Sequence, residues 1–404
     1  MRSIGVVSVG RSDFGIYRSL LRKLRASSRA KLQLIVAGMH LAPEFGLTAK
    51  AIEAEGFEIS SRIEMLVSSD TPEGLAKSMG VGLIGFAQEF GRNRPDILVV
   101  LGDRFEMTTA AIAAVPFNIP IAHIHGGELT FGAIDDAFRH AVTKLSHLHF
   151  AATEEYGRRI VQMGEEPWRV TVCGAPALDE VRSLQRLSIE QLETRLGFAL
   201  TPAPLLATFH PVTLELRQTE YHIGQFLAAL DSFEGPILFT LPNADPGGRV
   251  IRKYIEAYVG ERGSAHLVDN LGTENYFSLM AIAAAMVGNS SSGIVEAASF
   301  ALPVVNVGSR QEGRVRAANV IDCGYSTPEI VDAIHAALAP QFRQLARVSN
   351  NPYYRAGAAA EIARVLLDIA LDDQLLSKRF YDIESRATAV CRTGTQASLC
   401  CPSA

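Results

Sequence analysis

Short apolar runs alternate with amphipathic segments along most of the chain, and this alternation limits the fold more than any other feature. The first series of predicted strands comprises Ile4–Val9, Leu32–Ala37, Ile97–Leu101, Ile121–His125, His149–Ala152 and Val170–Cys173. Continuous β-branched runs are typical of strands that are buried on both faces. Because helical patterns separate most of these strands, we predict right-handed βαβ units and a parallel sheet covered on both sides.

The same pattern begins again in the second half of the chain. A polar helical stretch, Asp179–Leu196, forms the predicted connection, and the second series comprises Leu205–Thr208, Ile237–Leu241, His266–Val268, Ala285–Val287 and Pro303–Val307. We therefore predict an α/β fold with two Rossmann-like, doubly wound parallel-sheet domains that face a cleft. The predicted domains are residues 1–175 and 200–352, followed by terminal helices over 353–385, with Tyr353–Asp373 as one helix, and an irregular tail over 386–404.

Length, charge and cysteine content narrow the functional classes. A chain of 404 residues exceeds the size of a single hydrophobic core, which agrees with two domains. A formal net charge of −5 disfavours a general nucleic-acid partner, and five cysteines are too few for a disulfide scaffold. The N-terminus enters a strand without a secretory signal pattern, and no run reaches about 18 apolar residues, so we expect a cytoplasmic protein without a membrane partner.

Two strand-to-helix turns are candidate phosphate sites. The first strand ends in Gly10-Arg11-Ser12-Asp13-Phe14-Gly15, where helix-start N–H groups and a guanidinium suit a diphosphate. In the second half, Gly288-Asn289-Ser290-Ser291-Ser292-Gly293 leads into a helix predicted to begin at Ile294–Ala298, with Glu296 one turn further on as a candidate ribose ligand. An ordinary turn with a solvated arginine and a serine-capped helix are the alternatives.

Acid–base side chains follow several predicted strands. Because ligands collect at the carboxyl ends of parallel strands, we expect these residues to line one cleft: Asp103, Arg104, His125, Glu128, Asp135, Asp136, Arg139, His210 and Asn243. Carboxylates and histidines on adjacent loops suit proton transfer at a sugar carbon. Helix capping by Asp103 and a plain loop position for His210 are the alternatives. Metal binding is a further alternative, but typical ligand spacings are missing, and we predict neither a metal nor a cofactor.

Eight motifs in a fixed order resemble those of the hydrolysing UDP-N-acetylglucosamine 2-epimerases of sialic and legionaminic acid biosynthesis. They include Gly38-Met39-His40-Leu41, Gly102-Asp103-Arg104, His123-Ile124-His125-Gly126-Gly127-Glu128, Pro242-Asn243-Ala244-Asp245 and Gly308-Ser309-Arg310-Gln311-Glu312-Gly313-Arg314, together with the turns above. The resemblance covers residues 1–370. It implies the glycosyltransferase-B architecture, with a UDP-sugar between two Rossmann-like domains, and a homo-oligomer.

The resemblance also implies roles for individual residues. It places Asp103, His125, Asp135, Asp136 and His210 in the catalytic neighbourhood, and the substrate-binding set is Arg11, His40, Arg104, Glu128, Arg139, Asn243, Ser290, Ser291, Ser292, Gly293, Glu296 and Arg314. The implied reaction removes the C2 proton, releases UDP to leave a glycal, and adds water to give a free sugar with C2 inverted. The sugar is either N-acetylglucosamine or 2,4-diacetamido-2,4,6-trideoxyglucose.

Three other functions are compatible with the same sequence. A non-hydrolysing 2-epimerase returns a UDP-linked product, a glycosyltransferase needs an acceptor, and a nucleotide-sugar-binding protein performs no chemistry.

Overall fold

A computed structural model describes residues 1–268 and 271–383. Its strands are β1 Arg2–Ser8, β2 Ala30–Ala37, β3 Ile59–Ile63, β4 Ile97–Leu101, β5 Ile121–Ile124, β6 Leu148–Ala151, β7 Val170–Val172, β8 Leu205–Thr208, β9 Ile237–Thr240, β10 Ala265–Val268, β11 Ala285–Gly288, β12 Val304–Val307 and β13 Val320–Cys323. Within the described residues these strands form two sheets, ordered β3-β2-β1-β4-β5-β6-β7 and β10-β9-β8-β11-β12-β13.

Helices connect the strands of both sheets. They are α1 Arg11–Ala26, α2 Ala49–Ala54, α3 Pro72–Arg92, α4 Phe105–Ala114, α5 Asp135–Leu145, α6 Glu154–Gln162, α7 Leu178–Ser183, α8 Ile189–Leu196, α9 Thr219–Leu230, α10 Gly248–Glu261, α11 Gly272–Ile282, α12 Ser291–Val295, α13 Thr327–Leu338, α14 Pro340–Val348, α15 Ala358–Asp368 and α16 Asp373–Leu376. The paired strands are parallel. The predicted fold class, two parallel-sheet α/β domains that face a cleft, is confirmed.

The sequence missed two strands, β3 and β13, which pair at the outer edges of the sheets. Residues of β3 alternate between more and less exposed positions, and Asp322 of β13 is exposed. Edge strands are short, half exposed and interrupted by polar residues, so they lack the continuous apolar run that identified the central strands.

Helix boundaries in the connection and at the end of the chain also differ from the predictions. The predicted stretch Asp179–Leu196 is two helices, because Ser188 and Gln191 form a capping box that begins α8. The predicted helix Tyr353–Asp373 is shortened to α15, since Gly357 has φ 82° and precedes it, and α16 begins at Asp373, where the prediction ended. The helix expected at Ile294–Ala298 begins earlier, at Ser291. The tail predicted over 386–404 lies outside the described residues.

The end of the described chain returns to the first sheet. Ala359, Ile362 and Leu366 of α15 are buried in the same apolar cluster as β1 and α1. Arg2 reinforces this contact, since its Nη1 and Nη2 donate to the carbonyls of Leu366 and Ile369 at 2.6 and 2.7 Å. The segment that follows the second sheet therefore packs back onto the first domain. The domain boundaries themselves stay predictions.

Candidate functional site

The cleft lies between the carboxyl ends of the two sheets, where the sequence predicted the ligand. It has a volume of about 350 Å³ and is lined by loops of both domains. Every predicted site residue lines it except Asp136 and Gly293. A larger cavity of about 990 Å³ adjoins it near Arg11, Leu241 and Asn243, but the carboxylate and histidine cluster lines only the smaller space.

Asp136 and Gly293 have local structural contacts instead. Oδ1 of Asp136 accepts the Thr130 N–H at 2.7 Å and so fixes the loop before α5. Gly293 packs against β12, where an added Cβ would lie 2.8 Å from Cγ1 of Val304. Sequence position alone could not separate Asp136 from Asp135, because both begin α5.

His125 occupies a constrained position immediately after β5. Its φ of 63° lies in the left-handed region, which costs a non-glycine residue of order 1–3 kcal/mol and is often found at functional sites. Its N–H donates to the Phe150 carbonyl at 3.0 Å, and its carbonyl accepts from Nη1 of Arg139 at 3.0 Å. Nδ1 lies 2.5 Å from Oε1 of Glu128, whereas the buried Nε2 has no partner among the described residues.

Glu128 determines which ring nitrogen of His125 carries a proton. Although burial opposes ionisation, the nearby Arg314, His125 and Arg139 lower the pKa of Glu128 to about 2. An ionised carboxylate only accepts hydrogen bonds, so the proton of a neutral His125 ring lies on Nδ1. Nε2 therefore presents a lone pair, as a general base requires.

Arg139 organises the first-domain side of the cleft from within α5. Its side chain is 2% exposed and pairs with Asp103, and Nη2 also donates to Oγ1 of Thr130 at 3.0 Å. Glu128 lies 3.7 Å from its Nη1. Asp103 thus pairs with a buried cation rather than capping a helix, and the residue that caps α4 is Arg104, without a side-chain hydrogen bond.

Asp135 is the carboxyl group best suited to exchange protons near neutral pH. Burial and the negative charges of Asp103 and Asp245 raise its pKa to about 7, against the opposing effect of Arg310 and Arg104. A general acid or base is most effective when its pKa lies near the working pH. Perturbed carboxyls in a cleft are also typical of functional sites.

We expect Asp135→Asn to stabilise the free protein at pH 8. In the unfolded chain the carboxyl titrates near 3.8, and in the folded protein near 7, so ionisation opposes folding increasingly from about pH 4 to 7. Asparagine removes this cost, which is on the order of 4 kcal/mol for a pKa raised from 3.8 to about 7. Urea unfolding at pH 8 and pH 4 measures it. A gain of the same size at both pH values would contradict the electrostatic explanation.

His40 and Arg104 line the cleft but are already paired with protein groups. Nε2 of His40 lies 2.9 Å from Oγ of Ser8, and its Nδ1 lies 2.7 Å from Oγ1 of Thr48. Arg104 donates to both oxygens of Glu106 at 3.1 and 3.2 Å. These contacts indicate that both side chains stabilise the cleft wall, and they favour this role over direct binding of the ligand.

The first candidate phosphate turn is organised by Asp13. Its carboxylate accepts the N–H groups of Val9 and Gly10 at 2.6 and 2.8 Å. Those two N–H groups are therefore occupied, and the cleft-facing contribution of this turn comes from Arg11, Ser12 and the following residues. Nη2 of Arg11 donates to the Leu241 carbonyl across the cleft at 3.4 Å.

The second turn brings three serines and Glu296 to the opposite wall. Gly288 allows the close strand contact beneath it, since its φ is 135° and an added Cβ would lie 1.9 Å from the Thr208 carbonyl oxygen. Oγ of Ser290 accepts the Ser292 N–H at 3.3 Å, so the capping alternative is also present. Burial raises the pKa of Glu296 to about 7, although a hydrogen bond from Ser292 opposes this effect.

His210 lies at the end of β8 and faces an electropositive region. Its Nδ1 is buried without a partner among the described residues. Burial lowers its pKa well below the ordinary value, and the positive charges of Arg310, Arg104 and Arg11 lower it further. The part of the cleft around His210 is therefore suited to an anion, which would balance these arginines from both domains.

The sequence interpretation missed the aromatic and apolar part of the cleft, formed by Phe14, Leu271, Tyr276 and Phe277. Phe14, Tyr276 and Phe277 lie on helices whose apolar periodicity resembles that of core residues, and Leu271 directly precedes α11, so no sequence signal distinguished them. Arg310 also lines the cleft, and its Nη1 donates to the Asn289 carbonyl at 3.1 Å. It belongs to the Gly308–Arg314 motif, which is one of the motifs that carry the family resemblance.

Two negative findings apply to the described part of the chain. Among residues 1–268 and 271–383, no group of three or more histidine, cysteine or acidic side chains has an arrangement that could hold a metal ion. No helix in the same ranges is long and apolar enough to cross a membrane.

Comparison with known proteins identifies the family. Residues 22–367 match the family model described as UDP-N-acetylglucosamine 2-epimerase. The chain is 38% identical to a Campylobacter jejuni protein named GDP/UDP-N,N'-diacetylbacillosamine 2-epimerase (hydrolyzing), and the match covers 95% of this chain and 99% of that protein. It is 36% identical to a Legionella pneumophila protein named UDP-N,N'-diacetylbacillosamine 2-epimerase (hydrolyzing), and the match covers 94% of this chain and 99% of that protein.

Solved structures agree on the fold. A Neisseria meningitidis UDP-GlcNAc 2-epimerase bound to UDP-GlcNAc superposes with a TM-score of 0.78 at 18% identity, and the match covers 91% of this chain and all of the other. The S. aureus MnaA–UDP structure gives 0.75 at 16% identity, covering 91% and 96%. The family expected from the sequence is confirmed: the chain belongs to the UDP-N-acetylglucosamine 2-epimerase family.

Proposed function

We propose that the protein is a hydrolysing 2-epimerase, which converts a UDP-linked 2-acetamido sugar and water into UDP and a free sugar inverted at C2. One observation carries the proposal: a single cleft holds His125 and Asp135 together with the serine turn and with His210, which lies in an electropositive region. Proton-transfer groups and anion-binding groups therefore meet in one site. The names of the near-full-length relatives, hydrolysing 2-epimerases, support the same activity.

The reaction needs two acid–base groups near C2. A base removes the C2 proton, the C1–O bond to UDP breaks, and its electron pair leaves with UDP while a C1–C2 double bond forms. Water then gives its hydroxyl to C1, and a proton returns to C2 on the opposite face. We propose Asp135 and His125 as these groups, because the carboxyl pKa lies near 7 and Nε2 of His125 is unpartnered within the described residues.

Groups from both domains stabilise the departing diphosphate. Arg11, Arg310 and the hydroxyls of Ser290, Ser291 and Ser292 are the groups that we propose to contact it, and Glu296 is the proposed ribose ligand. Donors fixed in place before the reaction stabilise charge that develops on a leaving group. In this scheme Arg104, His40 and Arg139 support the site without contacting the substrate, since their side chains already bind protein groups.

We propose UDP-2,4-diacetamido-2,4,6-trideoxyglucose as the preferred substrate and UDP-N-acetylglucosamine as the poorer one. Two relatives at 38% and 36% identity carry names with diacetylbacillosamine, whereas a Neisseria meningitidis relative named UDP-N-acetylglucosamine 2-epimerase is 31% identical over 83% of this chain. Parallel assays should give a kcat/KM at least about tenfold higher for the diacetamido sugar. Equal values, or a preference for N-acetylglucosamine, would contradict this choice.

Product analysis separates this function from its alternatives. We expect the purified protein alone to release UDP and a free sugar in equal amounts. A UDP-linked epimer as the product would indicate a non-hydrolysing epimerase, and UDP release that depends on an acceptor would indicate a glycosyltransferase. Binding of the UDP-sugar without turnover would indicate a binding protein. The cytoplasmic location stays a prediction.

We also propose a homodimer formed through α3 and α4. These helices pack side by side and expose Val81 and Ile84 from α3, at 44% and 63%, and Ile112 from α4, at 42%. Adjacent exposed apolar side chains are typical of association surfaces. Light scattering should report a dimer for the wild type and a monomer for Ile84→Glu. Leu345→Glu on α14, at 43% exposure, is the matched control and should remain dimeric.

A further inference from the structure

Three ionisable side chains form a connected row across the cleft: His125, Glu128 and Arg314. Oε1 of Glu128 lies 2.5 Å from Nδ1 of His125, and Oε2 lies 2.9 Å from Nη1 of Arg314. His125 and Glu128 follow β5 in the first domain, whereas Arg314 follows β12 in the second. Glu128 is 1% exposed. Both of its oxygens are thus occupied by protein groups, one from each domain.

We infer that Glu128 is a positioning residue that acts through His125, and that Arg314 fixes Glu128 from the opposite domain. The proton-transfer group is then complete only when the two domains are closed. This inference rests on the proposed function. It assigns Glu128 a different role from the direct substrate contact expected from the sequence, because each of its oxygens is paired with a protein group and the residue is only 1% exposed.

His125 needs such support because several arrangements of its ring and backbone are available. The left-handed backbone at φ 63° is held by Arg139 at the carbonyl, and Glu128 holds the ring at Nδ1. Without an acceptor at Nδ1, the ring can rotate or adopt the other tautomer, and Nε2 no longer presents its lone pair to the cleft. The carboxylate therefore selects both the orientation and the proton position of the base.

The loop that separates Glu128 from Asp135 contacts the second domain at several points. The Ile134 N–H donates to Oγ1 of Thr213 at 2.8 Å, and the Leu214 N–H donates to the Gly132 carbonyl at 3.4 Å. A Cβ on Gly132 would lie 2.8 Å from the Ser309 carbonyl carbon, so the loops touch closely. Glu128, which positions His125, lies at one end of this loop, and Asp135 lies at the other. Domain closure therefore determines the positions of Glu128 and Asp135 together.

A double-mutant cycle on the full-length protein tests the inference. UDP release is measured with the UDP-sugar that the wild type turns over, for Glu128→Gln, His125→Ala and the double variant. We expect Glu128→Gln to lower kcat by about 100-fold with KM within about threefold, as for a residue that aligns a base. In the His125→Ala background the same change should alter kcat by less than about twofold, because the group it acts through is gone.

Arg314→Gln tests the contribution of the other domain. Arg314→Gln and Glu128→Gln should lower kcat by disturbing the same contact, so their effects should not multiply. The kcat of the double variant should be at least about tenfold higher than the value obtained by multiplying the two single losses. Arg316→Gln is the matched control, since Arg316 pairs with Asp322 outside this row, and kcat should change by less than about twofold. If Glu128→Gln unfolds, Glu128→Asp replaces it in both cycles, because it keeps the charge beside Arg314 but shortens the reach to His125.

Two outcomes would overturn the inference. An equal loss of kcat from Glu128→Gln in the wild-type and His125→Ala backgrounds would show that Glu128 does not act through His125. A rise in KM with kcat unchanged would assign Glu128 to substrate binding. A wild type that releases no UDP would instead reject the proposed function, so the two failures are distinguishable.

Discussion

Asp135→Asn is expected to lower kcat for UDP release by about 10³-fold, within the range that general acid–base groups contribute. The physical reason is that the carboxyl has a pKa of about 7 and can both take and return a proton, whereas an amide can do neither. The same substitution should stabilise the free protein above pH 7, because it removes a carboxylate whose ionisation opposes folding. Lower activity together with higher stability is the expected result when a catalytic group is held in an environment that is unfavourable for folding.

Asp136→Asn is the matched control for this result. Asp136 is the next residue on α5, but its Oδ1 accepts the Thr130 N–H and its side chain does not line the cleft. An amide oxygen can still accept that hydrogen bond, so we expect kcat to fall less than about tenfold. A larger loss for Asp136→Asn than for Asp135→Asn, measured as initial UDP release at saturating substrate, would reverse the roles of the two residues.

Arg139→Leu should destabilise the protein by about 3–5 kcal/mol, the cost of leaving buried partners of an ion pair uncompensated. Arg139 is almost fully buried, pairs with Asp103 and lies 3.7 Å from Glu128, so its loss leaves Asp103 without its cation and Glu128 with Arg314 as its remaining one. Urea unfolding at pH 7 measures the change.

Arg364→Leu supplies the comparison for this prediction. Arg364 pairs with Glu361 on the surface of α15, and its side chain is 59% exposed, so the unfolding midpoint should not move measurably. Equal effects of the two substitutions, or no effect of Arg139→Leu, would contradict the buried role of Arg139.

The central strands were predictable because burial on both faces produces unbroken apolar runs, as in Ile97–Leu101 and Leu205–Thr208. The edge strands β3 and β13 were not, since half-exposed positions carry Ser60, Arg62 and Asp322. The break between α7 and α8 was readable only from the capping box at Ser188, because both segments share helical periodicity.

The candidate site was predictable as a set of residues but not as a set of contacts. Strand ends indicated that Asp103, His125 and Asp135 would meet, since parallel strands bring their carboxyl ends to one edge. Sequence could not indicate that Glu128 is paired from the other domain by Arg314, because such contacts depend on how two separate sheets approach each other. It also could not distinguish the aromatic wall of the cleft from core residues.

Turnover in D₂O tests the central claim most directly. The wild-type protein, incubated with UDP-2,4-diacetamido-2,4,6-trideoxyglucose and no acceptor, should release UDP together with a free sugar inverted at C2. Mass spectrometry and proton NMR should show one deuterium at that carbon. A free sugar that retains its C2 hydrogen and configuration would mean simple hydrolysis of the C1–O bond and would contradict the account.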